Sequence, residues 1–278
     1  MMKFLFFLVL AANVFLVQAQ NAETIINKAI VNMSSPNAYS YSFNSKERFN
    51  GKFIDVGMDA KLSNHPHKIY LNNTAGPNKG KEILYVKGVN NNKALINTFI
   101  NVSLSPLNSL IRKGNHHTIL EVGFGKVTQI LKDAKNRALK EASFSDIFFL
   151  NGEVVLNGRA CFKVEIADPT FTYVDYIMKK NESLYNIATK RNVCEQLIIE
   201  KNNNLSGFGS GSEGLLIKIP SSYAKKSILY IDKEHYHVVH QEIYDDKGLF
   251  ERYTYSKLKI NPAFKLDEFS KDFPGYNF

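Results

Sequence analysis

The sequence predicts an α+β fold: a curved antiparallel sheet with covering helices, interrupted by a small strand–helix–helix–strand unit. Three observations carry this. Apolar and polar residues alternate with period two through most of the chain, as in strands with one buried and one wet face. Outside the interruption, two substantial stretches, 22–33 and 126–142, show the helical period instead. Aromatics make up 12% of the chain, with 20 Phe, 14 Tyr and no Trp, which suits strands. A hydrophobic fraction of 44% excludes a disordered chain.

Residues 1–19 read as a secretion signal. Lys3 supplies the positive end, residues 4–17 are apolar, and Val17-Gln18-Ala19 is a small-x-small cleavage site. The run is short for a membrane span, and no Cys follows the cut to carry an acyl anchor. The expected mature chain starts at Gln20, has no transmembrane segment, and is exported to the periplasm or cell envelope of a Gram-negative bacterium. An uncleaved N-terminal anchor is the alternative.

Ile25, Ile26, Ala29, Ile30 and Met33 then share one helical face, and Pro36-Asn37 stops the helix. Tyr39, Tyr41 and Phe43 alternate with Ser40, Ser42 and Asn44. Residues 53–62, 68–72 and 82–89 add strands, with Val56, Met58 and Ala60 on one face. Residues 90–125 are less regular. A helix over 126–142 turns Val127, Ile130, Leu131, Ala134 and Ala138 inward. Strands resume over 146–151, 153–157 and 159–166, with hairpin turns expected at Asn151-Gly152 and Asn157-Gly158. After residue 220, strands are expected over 227–231, 236–243 and 249–258.

Residues 172–220 break the pattern. Tyr176 and Met178 alternate, Ser183 stands at an N-cap position, and Leu184, Ile187, Ala188 and Arg191 follow at helical spacing. Asn192 suits a left-handed cap, a short second helix runs over 195–201, and Pro220 ends a last strand. With Asn181-Glu182-Ser183-Leu184, Ile187-Ala188, Asn202 and Gly214…Ile219-Pro220, this unit resembles the lysin motif (LysM), a module that binds N-acetylglucosamine-containing glycans. Asn181 stands where that family has Gly and Glu182 where it has Asp, and loop 203–213 is long. The resemblance implies glycan contacts at Asn181, Glu182, Ser183, Leu184, Asn202, Asn203 and Asn204.

The remainder, 20–171 plus 221–278, is read as one split domain, since lengthening a surface connection costs little closure entropy. Its N-terminal helix, long meander, mid-chain helix and the Tyr244-Asp-Asp-Lys-Gly-Leu hairpin are similar to LolA-type lipoprotein carriers, and closer to a related family of exported proteins of unknown function. Tyr85-Val-Lys-Gly-Val-Asn, Gly114-Asn-His-His-Thr and the ending Ile260-Asn-Pro…Phe273-Pro-Gly-Tyr-Asn-Phe278 carry that likeness. It implies an incomplete β-barrel around helices, with an apolar cavity for acyl chains. Tyr41, Phe43, Met58, Leu84, Val86, Leu104 and Leu107 are the expected lining. His116 and His117 are expected in a loop at its mouth. Phe99, Ile100, Leu104, Leu107, Leu110 and Ile111 either plug the space or form a lid.

Catalytic and metal motifs are not recognised, and no cofactor is expected. His116-His117, read as strand neighbours, point to opposite faces. His235 and His237 share a face, and Asp245 and Asp246 are the candidates for a third group, yet a zinc site needs three or four ligands. His65-Pro-His67 lacks a third ligand. Neither Cys161 nor Cys194 has a His nearby in sequence; one bridge or two buried free thiols both remain open. The whole sequence carries a formal charge of +9, and on an exported chain such a basic balance favours anionic envelope polymers or lipid head groups over nucleic acid. The expected function is therefore non-catalytic envelope binding: the half-barrel takes a lipid or acylated partner, and the inserted unit takes peptidoglycan or a related glycan. The alternatives are a peptidoglycan hydrolase with a His-based site and a purely structural protein.

Overall fold

A computed structural model describes residues 21–141 and 144–278. The expected secretion signal lies outside the described residues.

Helix α1 (Ala22–Ser34) is capped by Asn21, whose side chain accepts the Thr24 N–H at 2.8 Å. The meander β1 (Ala38–Phe49), β2 (Lys52–Asn64), β3 (His67–Ala75) and β4 (Glu82–Val86) follows, extended by β5 (Ala94–Ile96) and β6 (Val102–Leu104). After α2 (Gly125–Glu141) and the single turn α3 (Phe144–Ile147) come β7 (Phe148–Leu156) and β8 (Arg159–Ala167). Then come β9 (Tyr173–Ile177), α4 (Leu184–Arg191), α5 (Glu195–Lys201) and β10 (Leu216–Pro220). Strands β11 (Lys226–Asp232), β12 (Val238–Asp245) and β13 (Gly248–Ile260) are the last strands in chain order among the described residues.

Eleven strands form one open antiparallel sheet in the order β6-β5-β4-β3-β2-β1-β13-β12-β11-β8-β7. One apolar cluster joins its inner face to both long helices: Ile25, Ile26 and Ala29 of α1, Val127, Leu131 and Ala134 of α2, and Tyr39, Tyr41, Met58 and Leu62 of the strands. The helices are amphipathic because only that face is roofed by the sheet.

Three strand readings change. Asn151-Gly152 is not a hairpin turn but an irregularity inside β7, where the register shifts between Leu150 and Glu153. Asn157-Gly158 is the turn, with φ of +49° and +79°. His235–His237 precede β12 rather than lie in it, and Tyr236 takes φ +55°. The stretch 90–104 yields two short strands that its low periodicity concealed.

Strands β9 and β10 pair as a separate two-stranded sheet, Tyr176 opposite Ile217, with α4 and α5 between them. Ser183 caps α4 by accepting the Asn186 N–H, and Asn192 ends it at φ +50°. Met178, Leu184, Ile187, Ile198, Ile217 and Ile219 form its own small core. The unit leaves the main sheet where β8 and β11 pair with each other, Ala167 opposite Lys226. It also packs back: Cys194 and Leu197 join Tyr223, Ile243 and Phe250 in a buried seam.

Candidate functional site

Between the inner sheet face and the segment 111–130 lies a cavity of about 100 Å³. Its sheet side carries Tyr41, Phe43, Met58, Leu71 and Ile83, with Tyr253 and Tyr255 of β13. The rings interlock: Tyr41–Tyr255 centroids are 5.3 Å apart and Phe43–Tyr253 are 5.4 Å apart. Ile111, Ile119, Val122 and Val127 close it from the other side. Gly123 permits that closure. Its φ is +101°, and a Cβ there would sit 2.4 Å from Leu62 Cδ2.

Of the expected lining, Tyr41, Phe43 and Met58 are in place. Leu84 and Val86 are not. They pair with Tyr70 and Lys68, and the Tyr70 ring stacks on Tyr276 of the C-terminal tail at 3.7 Å. The tail covers this outer face, so both faces of β4 are apolar and alternation does not distinguish them; Ile83 faces the cavity instead. Leu104 packs at the edge of the core, and Leu107 is exposed on the outside. The segment does not plug the barrel. Ile111 enters the cavity wall, whereas Phe99, Ile100 and Leu110 are exposed.

A second, open groove of about 560 Å³ runs between α1, the β2–β3 turn, α2 and α4, with Tyr185 and Thr189 on its far wall. Glu121, Val122 and Lys126 line both spaces, so the segment carrying them is the partition.

One end of the cavity is ionic. His117 Nε2 lies 2.9 Å from the Tyr223 hydroxyl, and that hydroxyl donates to Glu251 at 2.8 Å. Behind them, fully buried His116 meets Glu251 through Nδ1 at 2.8 Å and the Arg48 carbonyl through Nε2 at 2.7 Å. The His116 backbone N–H donates to Glu47. The two histidines are therefore loop residues that converge on one carboxylate, not strand neighbours facing apart. His117 lines the cavity, and His116 is buried behind it.

Charges here are set by their partners. Burial works against a charged His117, but Glu121 and Glu251 outweigh it and hold the imidazole up at about 10. Burial likewise opposes the Glu121 charge, and His117 and Lys126 bring that carboxyl down to about 2. For Glu251 burial is again outweighed, by His116 and His117, and the carboxyl stays well below the usual range. Burial, with Glu251 adding to it, pushes Glu47 up. The His117 contribution is therefore complete below the ordinary imidazole value near 6.5 and is lost as pH rises through about 10. Between pH 7 and 9 the unfolding free energy should fall by up to about 1.4 kcal/mol per pH unit. His117→Asn should flatten that slope in denaturant titrations at each pH; an unchanged slope would show that His117 is neutral.

Cys194 lies closer to a histidine than the sequence indicated. Its Sγ donates to Glu251 at 3.4 Å, and His116, Cys194 and Glu251 place their ligand atoms within 4.8 Å of one another. These atoms are already engaged, however, and burial pushes the Cys194 thiol up, which disfavours the thiolate that a metal needs. Both cysteines are free and buried. His237 bonds its own turn and the Tyr39 hydroxyl at 3.2 Å. Asp245 sits at the other end of β12, paired with Arg48. His67 meets the Tyr85 ring, with centroids 6.2 Å apart.

In the β9–β10 unit, Leu184 is fully buried, and Asn202 ties α5 to β10 through Ile198 O and both backbone polar groups of Lys218. Neither side chain is free to meet a sugar. Asn181 takes φ +62°, fitting a position where glycine is usual. Glu182 accepts from Tyr176 and from the Lys179 N–H, and Ser183 is occupied as the cap. Asn203 and Asn204 are exposed.

The residues that sequence reasoning missed are Glu47, Glu251, Tyr223 and Gln241. A signal existed for the first two: each is an acid in phase with the aromatic face of its strand, Glu47 with Tyr41 and Phe43, Glu251 with Tyr253 and Tyr255. Tyr223 follows the unit and had no pattern to betray it.

The sequence matches the family "Protein of unknown function (DUF1571)" over residues 36–191 and 215–278. The match does not break at 172 or 220. It takes in β9, α4 and β10 and passes over 192–214, so a wholly separate lysin module finds no support there. No curated protein matches the chain. Similar solved structures include lipoprotein LppX of Mycobacterium tuberculosis, at 10% identity over 87% of this chain and 96% of that one, with TM-score 0.42. MucB is similar at 12% identity over 89% of this chain, with TM-score 0.40; the chain spans 62% of MucB's length. A LolA superfamily protein from Nitrosomonas europaea is similar at 10% identity over 92% and 100% of the two chains, with TM-score 0.31.

Proposed function

The chain belongs to the DUF1571 family, whose function is unknown, and we propose that it is a non-catalytic binding protein that holds an apolar chain in the covered cavity. The observation that carries this is the aromatic and aliphatic lining closed over by segment 111–130. At about 100 Å³ the cavity takes the end of a chain. A full acyl chain requires outward movement of the partition 121–126, which joins the cavity to the groove. The ion pairs at the cavity end are structural in this reading, and the protein works in the cell envelope on a lipid or acylated partner. Among the described residues no helix is long and apolar enough to cross a membrane.

The experiment is native mass spectrometry and lipid extraction of protein purified without detergent, then titration with a fluorescent fatty acid. Saturable binding is expected. Val127→Phe, which fills the cavity, should weaken it at least tenfold. Leu107→Asp, outside the cavity, should leave it unchanged. No co-purified lipid together with no saturable binding would leave a structural protein. Glycan binding is a second reading, supported by the βααβ topology and by exposed Asn203 and Asn204 beside it. Sedimentation of the whole protein with peptidoglycan tests it, and an Asn203→Ala/Asn204→Ala variant that sediments equally well would exclude those contacts.

A further inference from the structure

Across three adjacent strands, the inner sheet face carries one polar row. Ser45 of β1 is opposite Tyr253 of β13, and Tyr253 is opposite Gln241 of β12. All three are at least nine-tenths buried, at 3%, 4% and 8% exposure. Among the described residues the Ser45 and Tyr253 hydroxyls have no hydrogen-bond partner. Tyr253 and Gln241 line the cavity. On the same face Phe43 stacks on Tyr253 and Leu229 is opposite Gln241, while Glu47 and Glu251 lie one step further along their strands. Buried polar groups are almost always paired, so a row with two unpaired hydroxyls against a cavity points to a partner that enters the cavity.

The surrounding charges restrict that partner. His117 and Lys126 line the cavity, and their charges are already met by Glu121 and Glu251, with Lys126 3.6 Å from Glu121. Glu47 and Glu251 stand one register step away on β1 and β13, and Glu251 is taken up by the histidines. The charges at this end are paired with one another, so an ionised ligand group finds no free counter-charge here, and an uncharged group needs none.

We propose that this row is a subsite for one uncharged hydrogen-bonding group, a hydroxyl, ester or amide, carried on the apolar chain and held by Tyr253 and Gln241. The proposal rests on the cavity reading above and names the ligand class it admits. Tyr253 is donor and acceptor, and Gln241 offers both through its amide, so the pair serves an alcohol or a carbonyl equally. A chain with an ionised end is selected against, because a site that offers only neutral dipoles leaves the ion's lost hydration unreplaced.

The test is displacement of the neutral fluorophore N-phenyl-1-naphthylamine at pH 7.5 by dodecan-1-ol, dodecanoate and dodecylamine. Dodecan-1-ol should displace at a concentration at least tenfold lower than either ion. Tyr253→Phe and Gln241→Leu should each remove that preference while still binding the fluorophore. Because the Tyr253 hydroxyl is unpaired without ligand, Tyr253→Phe should leave the thermal midpoint of the free protein unchanged or higher, so loss of preference will not reflect unfolding. Equal displacement by all three chains, or a preference that survives in the double variant, would mean that the row is satisfied by water and would overturn the subsite while leaving the cavity reading intact. Failure to bind the fluorophore or any chain would defeat the cavity reading, and this inference with it.

Discussion

Glu251→Ala should destabilise the protein by about 3–5 kcal/mol, because it removes one partner from a buried charged network and leaves the others uncompensated. Four groups lean on this side chain: His116 at 2.8 Å, Tyr223 at 2.8 Å, Cys194 at 3.4 Å and His117 at 3.5 Å. His116, Tyr223 and Cys194 cannot turn to water without opening the seam, since they and Glu251 are buried. Glu251→Gln keeps the shape and an acceptor and loses only the charge, so its cost should be clearly smaller. Denaturant unfolding at pH 7 gives both numbers. An alanine variant within about 1 kcal/mol of the parent would show that the network is not held by this carboxylate. The same substitution removes one of the two carboxylates that hold His117 charged, so the alkaline loss of stability should shrink with it.

What the sequence revealed depended on whether a strand had a wet face. In β1, Tyr39, Tyr41 and Phe43 oppose Ser40, Ser42 and Asn44, and the inner face was read correctly. In β4 the outer face is covered by the tail through Tyr276 and Asn277, every residue from Glu82 to Tyr85 is buried, and the parity was read one residue off. Local capping was legible in α4 because Ser183 and Asn192 act on their own helix. The ionic end of the cavity was not. It joins Glu47, His116, Cys194, Tyr223 and Glu251, drawn from five separate segments. No spacing rule relates them; the register of β1 with β13 and the folding back of α5 bring them together. The histidine pair drew notice as a motif, but its meaning depended on a carboxylate 135 residues away from His116.

Arg112 is where the β9–β10 unit is fastened to the cavity wall, and Arg112→Met should cost about 3–5 kcal/mol. Its guanidinium donates to Glu195 of α5 at 2.7 Å and to the His116 carbonyl at 2.6 Å, and the Phe208 ring lies 3.5 Å beneath it. Burial already pushes the Glu195 carboxyl up, and Arg112 is what opposes that rise. Without the arginine, Glu195 must take up a proton or draw in water, and His116 loses a support for its backbone. A buried pair is often no better than an apolar pair of similar volume, so the net worth of the contact is smaller than the cost of halving it. Arg112→Met combined with Glu195→Leu should therefore recover most of the loss, with a coupling of at least about 1 kcal/mol in the double-mutant cycle. If the two losses simply add, Arg112 acts through Phe208 and His116 alone, and the unit is held by the Leu197–Phe250 seam. The fluorophore titration read on the same variants separates docking from binding: a unit that loosens should weaken ligand retention even where the sheet stays folded, because Asn192 and Thr189 wall the groove next to the partition.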